Sequence, residues 1–280
     1  MDDKINNIEE ESITISSNEI HEQIDYINNN NIRSIYINDT GYKSNEIDFL
    51  KLCPNVEKVN IYSYQITNFS GLYNLEKLKV LYLDEAKGEI DLSRFKKLEE
   101  FRGVHNKYIL GLGECKSLKI VSLSKYKPKN KDLDELTNLE NIEFLELIQG
   151  QITSLKGVGS LKKLTKLEFN RIYKLEIIDE LEKNNESLKI LKFECCKKIK
   201  NHNYVTLLKN LEILSFNNCG DIPSVGFIKE LPKLRQFIFV DTNVVDGDLS
   251  PCVGLEYSGF FDKKHYSHKF KELNDKKYWK

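Results

Sequence analysis

A nine-residue pattern recurs along the chain at nearly constant spacing, and this repetition constrains the fold more than any other feature. The pattern has apolar residues at its first, fourth and sixth positions, and it is clearest in residues 188–196 and 211–219. Successive copies start 20 to 24 residues apart. At 280 residues the chain is long enough for two globular domains, but one array of repeats uses nearly all of it. The copies start at Ile32, Val56, Leu78, Leu98, Leu118, Ile142, Leu164, Leu188, Leu211, Leu234 and Leu255, with a degenerate copy from Glu10.

Alternation inside each copy predicts a β-strand with one buried face. The fourth and sixth residues are apolar, whereas the third, fifth and seventh mostly are not. Parallel strands stack about 4.8 Å apart, so equivalent residues of successive copies should form ladders. Gly103 interrupts the sixth-position ladder without an explanation from the sequence, and Ser258 interrupts the fourth. The sixth-position ladder ends in phenylalanines, which predict a continuous stacked aromatic spine through Phe169, Phe193, Phe216, Phe239 and Phe260.

Two connecting segments are near copies of each other. Residues 65–72 read Gln-Ile-Thr-Asn-Phe-Ser-Gly-Leu, and residues 151–158 read Gln-Ile-Thr-Ser-Leu-Lys-Gly-Val. With the leucines three and six residues further on, they resemble the 22-residue class of leucine-rich repeats of internalins and of the eukaryotic phosphatase-regulator group. The resemblance covers roughly residues 32–260. It departs at the ninth position, where the asparagine ladder of the class remains only as Asn18 and Asn106.

The resemblance implies an α/β fold. The expected architecture is a single leucine-rich repeat solenoid, or horseshoe, with a parallel β-sheet on its concave face. Short helices, 3₁₀ turns and loops are expected on the convex face, with helical stretches at residues 45–52 and 175–181. The 20-residue copies from Leu78 and Leu98 leave room only for turns or a single 3₁₀ turn. Members of this class bind other proteins and are not enzymes, so the resemblance also implies a binding function.

The repeat positions divide the chain into three predicted segments. The segments are residues 1–31 with a flexible lead, a capping helix and the degenerate copy, residues 32–260 with the repeats, and residues 261–280 with a C-terminal cap and tail. Isoleucines at helical spacing predict the capping helix over residues 19–28. In the C-terminal segment, Tyr266 and Phe270 are expected to cover the last phenylalanine of the spine, because terminal repeats need a cap.

The composition argues against several classes of function. Charged residues make up 30% of the chain and the net charge is −1, so no overall field attracts nucleic acid or an anionic membrane. Residues 1–7 lack the basic and apolar regions of a secretory signal. No run approaches the roughly 18 apolar residues of a membrane helix. We therefore expect a cytoplasmic protein that contacts neither nucleic acid nor membrane, provided that the sequence is the full-length chain.

Candidate metal-binding and catalytic residues have weaker support. Cys195, Cys196 and Cys219 cluster, but the ninth position of the repeat accepts cysteine, so buried free thiols are favoured over a metal site. His265 and His268 could form a pair of metal ligands, although no carboxylate or cysteine lies at a fixed spacing from them. The sequence contains no phosphate-binding loop, nucleophile elbow or zinc-protease motif. We therefore expect neither an enzyme nor a cofactor.

The exposed side of the strands is the expected functional surface. The third, fifth and seventh residues of each copy should form three outward rows. Tyrosine and arginine beside apolar groups are typical of protein-binding hot spots, although tyrosine, isoleucine and valine also suit strands for conformational reasons alone. We expect the centre across the copies from Leu78, Leu98, Leu118 and Ile142. The predicted partner-binding residues are Tyr36, Tyr62, Val80, Tyr82, Asp84, Arg102, Ile120, Phe144, Glu146 and Ile148.

The sequence therefore predicts a monomeric, non-enzymatic scaffold that binds a protein partner on its concave face. Two alternatives stay open at this point. One is an immunity or antitoxin-like protein that neutralises a toxin, which a neighbouring toxin gene would favour. The other is an accessory or regulatory subunit of an enzyme, which turnover abolished by a single polar substitution would favour.

Overall fold

The computed structural model describes residues 11–184 and 186–275. It divides into two compact units, Met1–Leu118 and Lys119–Lys280. Within each unit, every copy of the repeat contributes one strand to a parallel sheet. The chain then returns to the next strand through turns and short 3₁₀ segments. This is the α/β architecture that the sequence predicts for leucine-rich repeats.

The first unit contains a main set of parallel strands, a separate parallel strand pair and a capping helix. Its elements are β1 (Ser12–Thr14), α1 (Ile20–Asn29), β2 (Ser34–Asn38), β3 (Lys58–Tyr62), β4 (Val80–Leu83), β5 (Ile90–Asp91), β6 (Glu100–Val104) and β7 (Ile109–Leu110). Strands β1, β2, β3, β4 and β6 are neighbours in that order, whereas β5 and β7 pair separately. Strands β5 and β7 belong to the two 20-residue copies and were not predicted. The 3₁₀ segments are Asp48–Leu52, Ser70–Asn74, Leu92–Arg94 and Leu112–Glu114.

The second unit repeats this plan with seven strands among its described residues. They are β8 (Ile120–Ser124), β9 (Phe144–Ile148), β10 (Lys166–Asn170), β11 (Ile190–Glu194), β12 (Ile213–Asn217), β13 (Gln236–Ile238) and β14 (Tyr257–Gly259), and they are neighbours in chain order. Helix α2 (Phe270–Asn274) follows them. The 3₁₀ segments are Asp134–Leu136, Val158–Ser160, Asp179–Asn184, His202–Leu207, Gly226–Glu230 and Ser250–Cys252.

The strand register follows the repeat numbering in the described strand pairs. Leu167 and Phe169 of β10, for example, lie opposite Leu191 and Phe193 of β11. Fourth-position residues from Ile35 to Phe237 are buried, as are the sixth-position residues apart from Gly103. The predicted inward ladders are therefore confirmed. The degenerate first copy departs in part, because β1 is the edge strand of its sheet and Ile13 is only half-buried.

The aromatic spine is made of two stacks, so the prediction of one continuous stack is wrong. Phe216 stacks on Phe193 with ring centroids 5.2 Å apart, and Phe169 extends this stack at 5.4 Å. Phe239 stacks on Phe260 at 5.0 Å and on Phe237, also at 5.0 Å. Because the copy from Leu234 carries phenylalanine at both inward positions, Phe237 of β13 and Phe239 just after it are ring neighbours within one copy.

Gly103 marks the place where one large ring replaces two side chains. A Cβ atom at this position would lie 2.7 Å from the carbonyl oxygen of Leu83 and 3.0 Å from Cζ of Phe101. Phe101 is fully buried two residues earlier on β6. Its ring therefore fills the space that a sixth-position side chain would need, which accounts for the gap in the ladder.

The connecting segments are less helical than predicted. Only Asp48–Leu52 of the first predicted stretch forms a 3₁₀ segment, and in the second stretch the 3₁₀ segment begins at Asp179. Ile177 instead forms an isolated parallel bridge with Ser154. The two predictions of longer helical stretches are therefore wrong. The three-residue spacing of buried side chains that suggested them, as at Leu175, Ile178 and Leu181, also suits tighter 3₁₀ turns. The short turns expected in the 20-residue copies are confirmed as Leu92–Arg94 and Leu112–Glu114.

Charges of alternating sign occupy the second position of successive copies, with Thr165 as the exception. In the first unit, Glu57 lies between Arg33 and Lys79, with nitrogen–oxygen distances of 3.4 and 2.6 Å. In the second unit, Arg235 pairs with Glu256 through two hydrogen bonds of 2.6 Å. Exposed pairs of this kind contribute little to stability, typically about 0–1 kcal/mol. They disfavour misplaced strands, because a shift by one copy would bring like charges together.

Both ends of the repeat array carry covering elements among the described residues. At the start, α1 buries Ile24 and Ile27, close to the predicted helix. At the other end, the rings of Tyr266 and Phe270 lie 5.9 and 6.0 Å from the ring of Phe260, as predicted. The proposed boundaries of the three segments stay a prediction. The predicted lead and the last residues of the tail lie outside the described residues.

The side chain of Asn274 closes the edge of the last strand. Its Oδ1 accepts a hydrogen bond from the backbone N–H of Ser258, and its Nδ2 donates to the carbonyl oxygen of the same residue, both at 2.9 Å. One amide side chain thus takes the place of a neighbouring strand at this residue. Unpaired edge groups promote association with other chains, and Asn274 removes two of them.

Truncation after Phe260 is expected to cause self-association. The truncation removes the rings of Tyr266 and Phe270 from Phe260 and frees the edge at Ser258. Light scattering across a concentration series should then report species larger than the monomer. A truncation after Asp275 keeps the described cap and serves as the control. If the shorter protein stays monomeric and melts like the control, the segment has no capping role.

Candidate binding face

The outward rows of the strands are the candidate binding surface, and they are described separately for each compact unit. Side chains alternate along a strand, so the residues between the buried fourth and sixth positions point away from the core. The predicted residues Tyr36, Tyr62, Val80, Tyr82, Asp84 and Arg102 lie in the first unit, and Ile120, Phe144, Glu146 and Ile148 lie in the second. All ten occupy outward positions of β2–β4, β6, β8 and β9 or directly follow these strands.

Two tyrosines stack on the outward face at the start of the first unit. Tyr36 of β2 and Tyr62 of β3 have ring centroids 5.3 Å apart and planes inclined by 28°. Tyr62 remains 44% exposed, so one ring is still available to a partner. The pair arises because the fifth position of one copy lies diagonally beside the seventh position of the next.

Tyr82 lies at the centre of a small network of charged side chains. Its hydroxyl donates a 2.8 Å hydrogen bond to Glu100, which also accepts a 2.6 Å hydrogen bond from Nε of Arg102. The ring has the ammonium group of Lys58 at 5.3 Å and the guanidinium group of Arg102 at 5.6 Å from its centroid. Burial and the hydrogen bond to Glu100 raise the pKa of Tyr82 to about 12, so the ring stays neutral at physiological pH. We call Lys58, Tyr82, Glu100 and Arg102 the Tyr82 network.

Val80 and Asp84 flank Tyr82 along the same segment. Both are half-buried. Val80 lies between Lys58 and Glu100 in the strand register, so it places an apolar side chain between two charged ones. The backbone N–H of Asp84 donates to the carbonyl oxygen of Ile61 and extends the pairing beyond the end of β4.

Phe144 is the aromatic centre of the predicted residues in the second unit. The ammonium group of Lys166 lies 4.2 Å from its ring centroid. Ile120 lies opposite Phe144 in the register, and Ser124 lies opposite Ile148. Glu146 accepts a 2.5 Å hydrogen bond from the hydroxyl of Ser122. The predicted apolar groups in both units were expected to face solvent, but neighbouring side chains half-bury Val80, Ile120, Phe144 and Ile148.

Three charged residues that the site prediction omitted prove central to these contacts. Lys58 and Lys166 lie over the rings of Tyr82 and Phe144, and Glu100 joins Tyr82 to Arg102. All three occupy third positions of the repeat, the outward position nearest the strand start. The signal was present in the sequence, since third-position residues lie in register beside the predicted ones. The prediction favoured aromatic and apolar residues and passed over the charges that hold them.

The cysteines and histidines behave as structural residues. The thiols of Cys196 and Cys219 point inward, at hydrogen-bond distances of 3.8 and 3.6 Å from strand carbonyl oxygens, and burial raises the pKa of each to about 12. All six cysteines are free. His265 contacts the carbonyl oxygen of Val244, and His268 contacts the hydroxyl of Ser267. Among residues 11–184 and 186–275, no group of three or more potential ligands is placed to hold a metal ion.

A cleft of about 350 Å³ lies beside the 3₁₀ turns of the first unit. Its wall includes Tyr73 and Phe95, with ring centroids 5.3 Å apart, and the guanidinium group of Arg94 lies 3.5 Å from the centroid of Tyr73. The charged groups at its mouth, Glu76 and Lys96 among them, are exposed. A buried acid, base or nucleophile is not found among its described lining residues, so the cleft does not resemble an active site.

Comparisons with known proteins support the repeat architecture. No family model matches the sequence, and no curated protein matches it. Among solved structures, the chain is similar to an internalin (inlF) from Listeria monocytogenes str. 4b F2365, with a TM-score of 0.64, 20% identity, and coverage of 85% of this chain and 70% of that one. It is also similar to TLR13 in the TLR13–ssRNA13 complex, with a TM-score of 0.54, 16% identity, and coverage of 87% of this chain but only 41% of TLR13. At these identities the likeness concerns the fold, and the chain has the leucine-rich repeat fold.

Membrane crossing by a helix has no support in the part of the chain that the structure describes. Its helices are short, and none combines the length and the hydropathy that a span requires.

Proposed function

We propose that the exposed strand face binds another protein and that binding, without turnover, is the function of the chain. The observation that carries this proposal is the Tyr82 network. It presents an aromatic ring between two cations and holds it there through Glu100. Side chains that are fixed before binding lose little conformational freedom on contact, so more of the contact energy remains for affinity. Tyrosine and arginine are also the residues enriched in binding hot spots.

A protein suits this face better than a polyanion. In the first unit, the outward positions carry the cations Lys58 and Arg102 and also the anions Glu100 and Asp84, and Arg102 pairs with Glu100 at 2.6 Å. Nucleic acids bind to stretches of uncompensated positive charge on a protein. Anionic membranes also bind proteins through such stretches. TLR13 was solved in complex with ssRNA13, but in this chain the mixed charges favour a partner with a matching pattern of both signs.

We propose that the chain is a monomer and that it binds its partner without a cofactor and without catalysis. The half-buried Phe144 under Lys166 supplies a second aromatic anchor in the second unit. Cysteines that are all free are typical of proteins from a reducing compartment, which supports a cytoplasmic location.

Tyr82→Ala and Phe144→Ala are each expected to weaken binding of the partner by about 2 kcal/mol, the loss typical of a hot-spot residue. Neither ring belongs to the inward ladders, so thermal unfolding should change little. The partner is first captured from native cytosol on the immobilised wild-type chain and identified by mass spectrometry. Calorimetric titration of the purified partner then measures each variant.

Tyr173→Ala is the matched control for this experiment. Tyr173 is 55% exposed and lies in a turn after β10, away from the outward rows. Tyr82→Phe adds a second comparison, because it keeps the ring between the two cations and removes only the hydroxyl. Wild-type affinity in both alanine variants, together with weaker binding by Tyr173→Ala, would rule out the exposed strand face.

A further inference from the structure

The outward face of the last three strands contains no charged residue. The outward positions of β12, β13 and β14, continued to Val240 and Phe261, hold isoleucine, valine, tyrosine and phenylalanine beside serine, asparagine, glutamine and glycine. The same three rows on β9, β10 and β11 hold Glu146, Lys166, Glu168, Lys192 and Glu194. In a chain with 30% charged residues, this boundary separates two chemically different parts of one face.

Large apolar side chains remain accessible on this part of the face. We call the five residues Ile213, Ile238, Val240, Tyr257 and Phe261 the C-terminal patch. Phe261 is 61% exposed, the highest value among the described large apolar residues, and Tyr257 is 39% exposed. Tyr257 begins β14 and Phe261 follows its end. Clusters of accessible aromatic rings typically mark interaction sites.

Tyr257 is held in a defined position. Its ring meets the ring of Phe270 in α2 edge to face, with centroids 6.2 Å apart. A Cβ atom at Gly259 would lie only 2.9 Å from Cε1 of Tyr257 and 2.9 Å from Cγ2 of Ile238, so the ring lies across Gly259 and beside Ile238. Glycine at this position therefore lets Tyr257 lie flat on the sheet. The patch is preorganised in the same sense as the Tyr82 network.

A partner must approach the patch from its face, because the edge of β14 is closed at its centre. Asn274 satisfies both backbone groups of Ser258, so an incoming strand cannot pair there. At the start of the strands, the paired side chains of Arg235 and Glu256 satisfy each other. Side-chain contacts, and not added backbone pairing, must supply the affinity.

We infer that the C-terminal patch docks an uncharged apolar or aromatic segment of another protein. The outward residues of β12–β14 are uncharged, and this favours an uncharged partner segment. A carboxylate, phosphate or ammonium group placed on the patch would lose hydration and find no opposite charge among the outward residues of β12–β14. An apolar side chain there gains from the burial of Tyr257 and Phe261. Nucleic acid and anionic lipid are disfavoured for the same reason.

This inference rests on the proposed function and deepens it, because the patch lies on the exposed strand face although none of its residues belongs to the predicted binding set. It adds a second surface with a different chemistry on the second unit. The two surfaces can be tested separately, since Tyr82 lies in the first unit and Phe261 in the second.

Peptide display provides the test. A library of short random peptides is selected on the immobilised full chain, and the peptide with the strongest enrichment is synthesised and titrated by fluorescence anisotropy. The expected peptides are rich in tryptophan, phenylalanine, tyrosine and leucine and poor in charged residues. Phe261→Asp should weaken the peptide by about tenfold or more, because it places a charge in the apolar contact. Val253→Asp is the matched control, since Val253 is 59% exposed and lies outside the strand face.

Four results of the peptide experiment would overturn the inference. They are the selection of charged peptides, the absence of any binding peptide, equal binding by Phe261→Asp and wild type, and weakening by Tyr82→Ala instead of Phe261→Asp. The last result would leave the proposed function standing while removing the patch. Light scattering tests whether a second copy of the chain occupies the patch. A wild-type dimer that Phe261→Asp converts to a monomer would show that a second copy of the chain covers the patch, contrary to the inference.

Discussion

Phe216→Ala is expected to lower the free energy of unfolding by about 3–5 kcal/mol, the usual cost of removing a buried phenylalanine. Phe216 is fully buried and stacks on Phe193. The edge-to-face contact with His202, at 4.9 Å between centroids, would be lost as well. Repeats couple mainly to their neighbours, so the strands around β12 should unfold before the others.

Urea unfolding followed by circular dichroism measures this effect. Phe261→Ala is the control, because it makes the same chemical change in the same unit at a residue that is 61% exposed. The control should unfold within about 0.5 kcal/mol of wild type, as exposed substitutions usually do. Equal unfolding midpoints for Phe216→Ala and wild type would mean that Phe216 does not lie in the core.

Lowering the pH from about 7 to about 4 is expected to destabilise the second unit through His202. Its imidazole is 4% exposed, and neither ring nitrogen has a hydrogen-bond partner. Burial lowers the pKa of His202 to about 4 in the folded chain, against about 6.5 in an unfolded one. The unfolded chain therefore binds a proton first as the pH falls, so stability declines through this window and the loss is complete below about pH 4. At about 1.4 kcal/mol for each pH unit, the full loss is about 3 kcal/mol.

His202→Phe isolates this contribution. The substitution keeps a ring against Phe216 and Phe227 but removes the two unpaired nitrogens. At pH 7 the variant should be more stable than wild type by about 1–2 kcal/mol, because a buried polar group without a partner costs that much. Its advantage should grow as the pH falls, since only the wild-type imidazole titrates.

Urea unfolding at a series of pH values compares wild type with His202→Phe, and the other titrating groups cancel in the difference. His21→Phe, which makes the same chemical change at an exposed position of α1, is the control. A difference between wild type and His202→Phe that stays constant from pH 7 to pH 4 would contradict the assignment to His202.

The repeat positions and the inward or outward direction of each strand residue could be predicted from the sequence. Apart from β5 and β7, every strand from β2 to β14 begins two residues after a predicted copy start, from Ile32 to Leu255. The contacts of Tyr266 and Phe270 with Phe260 were also predictable, since both residues follow the last aromatic position of the repeats. These features follow from the alternation of apolar and polar residues within a copy and from the spacing of the copies. Both are local properties of the chain, and they recur often enough to be unambiguous.

Only the tertiary structure decided which side chains meet. The outward position of Tyr82 could be predicted, but its hydrogen bond to Glu100 and its place between Lys58 and Arg102 could not. His202 gave no sign in the sequence that it would lie buried against Phe216. Such contacts depend on rotamers and on segments of varying length between the strands, and the period does not constrain either. The uncharged C-terminal patch was predictable only in part. Its composition follows from the sequence once the strand register is known. The position of Tyr257 across Gly259 required the packed structure.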